Sequence, residues 1–227
     1  MAGCEPPHLP VVIAAVKAIA QPGFPLNGLA GLTAAHSTML IVNGPLSRQL
    51  RINNGYPGIA DLDYLGAGNK FSLCFAESEE ANPWEPLHVE RGFPRETSTV
   101  SAIAVDSQSE GRSASPLPEL ILRAIAGAIA TPTTTGSTIW METKVANSPV
   151  IALSSTHAKA LAEAGWEKRD IKQFLYYHSR QWLNGAPDNT LVPIATSPDA
   201  FQIVVVNGEG PKSEVFTGIP GIVTVAV

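Results

Sequence analysis

The chain has 227 residues, 44% of them apolar and only 15% charged, with a formal net charge of −5. That composition supplies a sizeable core and excludes a disordered chain, while the absence of any Lys/Arg run argues against a nucleic-acid surface, which needs clustered cations to neutralise phosphates. The longest apolar stretch, Val11–Ala20, is broken by Lys17 and is too short to span a bilayer. The opening residues, with Glu5, Pro6, Pro7 and His8, do not read as a secretory leader. Two cysteines, Cys4 and Cys74, are too few for a secreted disulfide scaffold, so the expected setting is the reducing cytoplasm and the expected partners include neither nucleic acid nor membrane.

In chain order, Pro10–Ala20 reads as a helix with Pro at its start; its scarcity of polar positions predicts burial on most sides. Thr38–Val42 reads as a buried strand closed by the turn Asn43-Gly44-Pro45, and Asn53–Gly58 as another turn. Lys70–Ala76 and Thr97–Val105 read as strands, and Gln108–Pro118, rich in Ser, Gly and Pro, as a loop. Pro118–Ala130 is a helix and Thr131–Ser137 a connector. Pro149–Leu153 is a strand, followed by a helix capped from Ser154-Ser155-Thr156 and stopped by Gly165. A further helix over Lys168–Leu183 carries an aromatic face of Phe174, Tyr177, His178 and Trp182. Phe201–Val206 is a buried strand leaving through Asn207-Gly208-Glu209-Gly210-Pro211. The alternation indicates an α/β fold, a mixed sheet covered by helices, over one domain spanning residues 1–227 with a subdivision allowed near 131–148. Leu-Ile-Val-Asn-Gly-Pro at 40–45 and Val-Val-Val-Asn-Gly at 204–208 echo each other. The echo is ordinary turn grammar or a mark of two similar halves whose turns share a cleft.

The densest chemistry lies in residues 74–93, which hold five carboxylates, one His, one Arg, one Trp and Cys74. Pro83 and Pro86 preclude a continuous helix through it. In an extended segment, His88 and Glu90 would point to one side, a pairing suited to proton transfer, with Glu77 or Glu80 as orienting carboxylates. Arg91 would clamp a substrate carboxylate, with Trp84 beside it. Backbone amides of the Asn43-Gly44 turn, and of the turn at 207–211, would cradle an anion. Ser47, Arg48 and Arg51 follow the first turn. A salt-bridged structural loop accounts for the same residues equally well. His88 with neighbouring glutamates has no defining metal spacing, and no metal is assigned; no P-loop, dinucleotide fingerprint, GxSxG, HExxH or CxxC is present, so the cofactor is unknown. Cys74 reads as a buried small hydrophobe. Cys4, ahead of the first helix, gains thiolate character if it reaches that helix N-terminus. His36, His157 and His178 read as structural.

Four stretches together, Met1-Ala-Gly-Cys with Leu9-Pro-Val-Val-Ile-Ala-Ala, Leu40-Ile-Val-Asn-Gly-Pro-Leu, residues 75–93, and Ala164-Gly-Trp, resemble a family associated with UGSC-type (seleno)proteins, a group related by label to glycine/sarcosine/betaine reductase selenoprotein B. The family extends ahead of the Met-Ala-Gly-Cys stretch and carries a Gly/Arg/Asn-rich segment where this chain passes from Gly55 directly to Pro57-Gly58, so on that likeness the chain is shortened at both places. The resemblance implies a cytosolic enzyme acting on a small polar or carboxylate-bearing molecule, by thiol-assisted chemistry at Cys4 or acid–base chemistry at His88, Glu90, Glu77 and Glu80, reductase- or lyase-like in class. Asn43, Gly44, Arg91 and Trp84 would bind the substrate. The alternative is a non-catalytic subunit of an oligomeric complex, consistent with the low charge and apolar helices; in either case a homo- or hetero-oligomer is expected.

Overall fold

The computed structural model describes residues 4–31, 37–53, 73–130, 147–182, 191–208, 210–218 and 221–227. The expected turn over Asn53–Gly58, the connector at 131–137, the subdivision near 131–148 and His36 lie wholly or mostly outside them. Among the described residues the α-helices are α1 (Leu9–Ile19), α2 (Leu26–Gly31), α3 (Pro45–Gln49), α4 (Leu87–Glu90), α5 (Pro118–Ile129), α6 (Ser155–Glu163) and α7 (Lys168–His178). The strands are β1 (Ser37–Asn43), β2 (Leu73–Ala76), β3 (Thr99–Val105), β4 (Ser107–Arg112), β5 (Val150–Ser154), β6 (Arg180–Trp182), β7 (Leu191–Pro193), β8 (Gln202–Val206), β9 (Lys212–Thr217) and β10 (Ile222–Ala226).

The α/β expectation holds, with two mixed four-stranded sheets where one was expected. Their orders are β10-β3-β1-β2 and β4-β9-β5-β8, and β6-β7 make a small ribbon apart. In the first sheet β1 runs parallel to β2 and antiparallel to β3; in the second β5 runs parallel to β8 and antiparallel to β9. The fourth strand of each sheet comes from the other half of the chain: β10 pairs with β3, and β4 with β9. Thus β3 and β4, separated only by Asp106, form one long bent strand against β9 and β10. Gly218 sits at that bend, where a Cβ would lie 2.0 Å from the Ala104 carbonyl oxygen, so only glycine permits the approach.

Alternation along the strands builds the layers. Met39 and Ile41, Leu73 and Phe75, and Ile103 and Val105 meet Val150, Ala152, Val204 and Phe216 between the sheets, where Phe75 and Phe216 stack at 6.5 Å. The opposite face of the first sheet packs on α1 through Val42, Val100 and Ala102. That of the second packs on α5, α6 and α7 through Ile151, Leu153, Ile203 and Val215. The result is a four-layer α/β/β/α arrangement whose halves repeat one connectivity.

Several expectations are corrected. The segment at 107–112 is a strand despite its polar composition, because register with β9 along the shared ribbon overrides local propensity. The helix begun at Lys168 stops at His178, and Arg180–Trp182 turns into a strand paired with Leu191–Pro193. Helix α1 is not buried on most sides: Val11, Ala14, Ala15 and Ala18 face the sheet, while Leu9, Val12, Ile13 and Val16 are exposed. Cys74 is exposed rather than buried, because it takes the outward position between Leu73 and Phe75. The sequence echo does not mark the repeat: by topology β1 corresponds to β5, and β8 to β2.

Candidate functional site

The carboxyl ends of a parallel strand pair are where α/β sheets gather ligands, and the first such pair, β1 and β2, ends at Asn43 and Ala76. The chain leaving β2 folds back across β1 and β8. Ser78 donates its amide to the Val205 carbonyl at 2.8 Å, and Glu77 donates its own to Val42 at 3.2 Å. The Glu77 side chain is buried and saturated with donors. Oε2 accepts from Asn43 Nδ2 at 2.7 Å and the Leu87 amide at 2.8 Å; Oε1 accepts from Asn82 Nδ2 at 2.7 Å and the Val205 amide at 3.4 Å. Burial pushes the Glu77 carboxyl above the ordinary carboxylate range. The Lys168 charge and the bonds from Leu87 and Asn43 oppose that shift, and the Glu79 charge adds to it.

Glu79 makes the second contact with the bend. Its Oε1 accepts from the Gly44 amide at 2.6 Å and from Asn43 Nδ2 at 3.2 Å, and lies 3.6 Å from His88 Nδ1. Gly44 adopts φ +83°, and a Cβ there would lie 2.6 Å from Ser98 Cα and from the Thr97 oxygen, so the bend requires glycine. The anion held by the first turn is therefore the protein's own carboxylate. In the second turn the described Gly208 and Gly210 amides are also engaged, the first on the Val206 carbonyl. Gly208 and Gly210 offer carbonyls to the Ser155 and Ser154 hydroxyls, and the Gly210 amide is bonded to Thr156 Oγ1. The expectation that these turns present free amides to an anion is corrected at Gly44, Gly208 and Gly210.

His88 is fully buried in α4, the single helical turn that starts once Pro86 is passed. Its ring sits between two acceptors, with Nε2 3.3 Å from the Arg95 carbonyl and Nδ1 facing Glu79. Nδ1 makes no hydrogen bond, and neither do the buried Asn43 Oδ1 and Thr99 Oγ1; Asn43 and Thr99 are register partners in β1 and β3, so their side chains share a face. A separation of 3.6 Å is ion-pair reach but longer than a hydrogen bond, and such contacts tighten when a reacting group enters.

Because residues 87–90 are helical rather than extended, His88 and Glu90 diverge, two residues being about 200° apart around a helix. Glu90 instead bonds Lys168 through a short contact and Lys172 at 3.0 Å, while Lys168 also donates to the Glu85 carbonyl at 2.6 Å. Arg91 is exposed and donates to the Ile222 carbonyl at 3.0 Å. Glu80 pairs with Arg48 at 3.2 Å on the exposed surface. Trp84 donates Nε1 to the Trp166 carbonyl at 2.9 Å and packs on the helical core. Cys4 is exposed ahead of α1, and the Cys74 thiol is pushed up by desolvation and then by Cys4, which disfavours its thiolate. The structure thus brings together Asn43, Gly44, Glu77 and His88 and adds Glu79, Asn82 and Thr99. Glu80, Trp84, Glu90 and Arg91 have other partners.

No protein-family model, no curated protein and no solved structure matches the chain. The site therefore rests on its own geometry.

Two further features lie outside this cluster. His157, near the start of α6, is 2.7 Å from Ser213 Oγ through Nδ1 and 3.0 Å from the Ser113 carbonyl through Nε2, beside a cavity of about 310 Å³. Desolvation holds its ring below the ordinary histidine range, with the Ser113 bond opposing. Ser213 is buried, accepts from the Ser154 amide and does not line the cavity, so the pair ties β9 to α6 and the 113–117 loop. Among the described residues, no group of three or more His, Cys, Asp or Glu stands where it could hold a metal, and no helix is long and apolar enough to cross a membrane.

Proposed function

We propose that this protein is a cytoplasmic enzyme that moves a proton on a small polar molecule, with Glu79 and His88 as its acid–base pair and the Asn43-Gly44 bend as the platform that orients them. The observation that carries the reading is the single Glu79 oxygen shared by the Gly44 amide, the Asn43 side chain and the imidazole of a fully buried His88. Glu79 retains 12% side-chain exposure, so one member of the pair is open to solvent while the other is sealed. That arrangement lets a proton enter and be delivered in a low-dielectric site. Glu77 acts as the positioning carboxylate, fixing Asn43, Asn82 and the start of α4.

The acid–base branch is favoured over the thiol-assisted one, because both cysteines are exposed, whereas the Glu79–His88 contact has a fully buried imidazole. The resemblance of residues 75–93 to the UGSC-associated family is what supports reading the reaction as reductase- or lyase-like. Turnover of a panel of small amines, hydroxy acids and amino acids by wild type, His88→Asn and Glu79→Gln tests the reading. Each variant should lose at least about 100-fold, as expected for a general acid or base, with no further loss in the double variant. Wild-type turnover in both single variants rejects it.

A second reading, a subunit of a larger assembly, is favoured by a separate observation. Leu9, Val12, Ile13 and Val16 of α1 are exposed, and Leu9 and Ile13 line a hollow with Ala226 and Val227 at the end of β10, an uncharged strand at the edge of its sheet among the described residues. The two readings are compatible.

A further inference from the structure

Two unsatisfied buried oxygens, Asn43 Oδ1 and Thr99 Oγ1, together with the neighbouring Glu79 carboxylate, say what kind of molecule the site takes. Asn43 Oδ1 can only accept a hydrogen bond, Thr99 Oγ1 can accept one, and the adjoining Glu79 carboxylate is an acceptor throughout. Leaving such groups buried without donors costs the full desolvation of each. The cations nearby are hydrogen-bonded to other groups than Glu79: Arg91 to the Ile222 carbonyl, Arg48 to Glu80, and Lys168, whose charge also reaches Glu77, to Glu90 and the Glu85 carbonyl. Two carboxylates, Glu77 and Glu79, meet at the Asn43 amide. A neutral guest would fill the hydrogen bonds but leave the Glu79 carboxylate facing only the Gly44 and Asn43 N–H groups and the His88 ring, whereas a guest carboxylate would be repelled by it.

We propose that the site binds a protonated primary amine, its N–H groups received by Asn43 Oδ1, Thr99 Oγ1 and the Glu79 carboxylate, so that the substrate enters amine-first. This rests on the acid–base reading of the same cluster and replaces the carboxylate clamp expected at Arg91. His88 Nδ1 then faces the atoms next to the amino group, where a proton would be removed or returned.

The test uses the whole protein and methylammonium chloride as probe, with tetramethylammonium chloride and sodium acetate as controls at constant ionic strength, read as a shift in Tm. Methylammonium should raise Tm saturably and the controls should not, since tetramethylammonium carries the charge without N–H donors. Thr99→Val, nearly isosteric, should weaken methylammonium about tenfold, as loss of one hydrogen bond implies, while Thr99→Ser keeps the wild-type response. An acetate-only response, equal shifts with both cations, or a methylammonium response indifferent to Thr99→Val overturns the proposal. A stability double-mutant cycle between Glu79 and His88, run alongside, separates the two ideas. Coupling without amine binding removes only this inference, and absence of coupling removes the acid–base reading beneath it.

Discussion

Glu77 and His157 are buried titratable groups whose folded environments act in opposite directions with pH. The Glu77 carboxyl is raised by burial, so the native state holds its proton more tightly than the unfolded chain does. The stability this gives is complete below the ordinary carboxylate range and is lost as pH rises through the raised value. Glu77→Gln removes that dependence and puts an amide N–H₂ against donors, costing about 2–4 kcal/mol. Urea unfolding at a series of pH values should show wild type more stable than Glu77→Gln throughout, with a gap that narrows as pH rises. His157 is lowered by desolvation, so its contribution is present above the ordinary histidine value and is lost as pH falls through the depressed one. Acid unfolding of His157→Gln should lack that step. The sequence marks Glu77 and His88 as chemical residues, but Glu79 and Thr99 carry no local sign of their role. Glu79 matters through its bond to the Gly44 amide, 35 residues away, and Thr99 through its β1 register.

At the scale of elements, local signals sufficed where they were strong and failed where pairing decided. Ser154 caps α6 through the His157 amide, Gly165 ends it at φ +82°, and Pro86 delays α4, each as the residues indicate. The strand at 107–112 has no strand composition and exists because β9 lies beside it. The Asn43-Gly44 bend combines both kinds of information: the turn is legible, its positive φ and its packing on Ser98 are not. Gly44→Ala should therefore destabilise by about 2 kcal/mol or more, read by thermal or urea unfolding, from the strained conformation and the backbone clash together. On α1, Val16→Lys lies on the exposed stripe and should change monomer stability by no more than about 0.5 kcal/mol. If that stripe joins copies or partners, the same variant lowers the sedimentation coefficient at low protein concentration. An unchanged coefficient leaves α1 outside any interface.

For the whole molecule, the repeated connectivity explains why the cluster is so well fixed. The long ribbon formed by β3–β4 and β9–β10 carries strands of both sheets, so the carboxyl ends of β1 and β2 are braced by the other half through Val205 and Ile222. The α/β class is readable from alternating patterns; the division into two sheets and the exchange of edge strands are not, because both depend on pairings between residues 100 or more positions apart. The central claim is that Glu79 and His88 act as one unit on this frame. The most direct measurement is the double-mutant cycle of Glu79→Gln and His88→Asn by urea unfolding at fixed pH. A coupling of about 1 kcal/mol or more is predicted for a carboxylate and an imidazole in direct contact at a partly buried site. Strict additivity of the two substitutions would contradict the account.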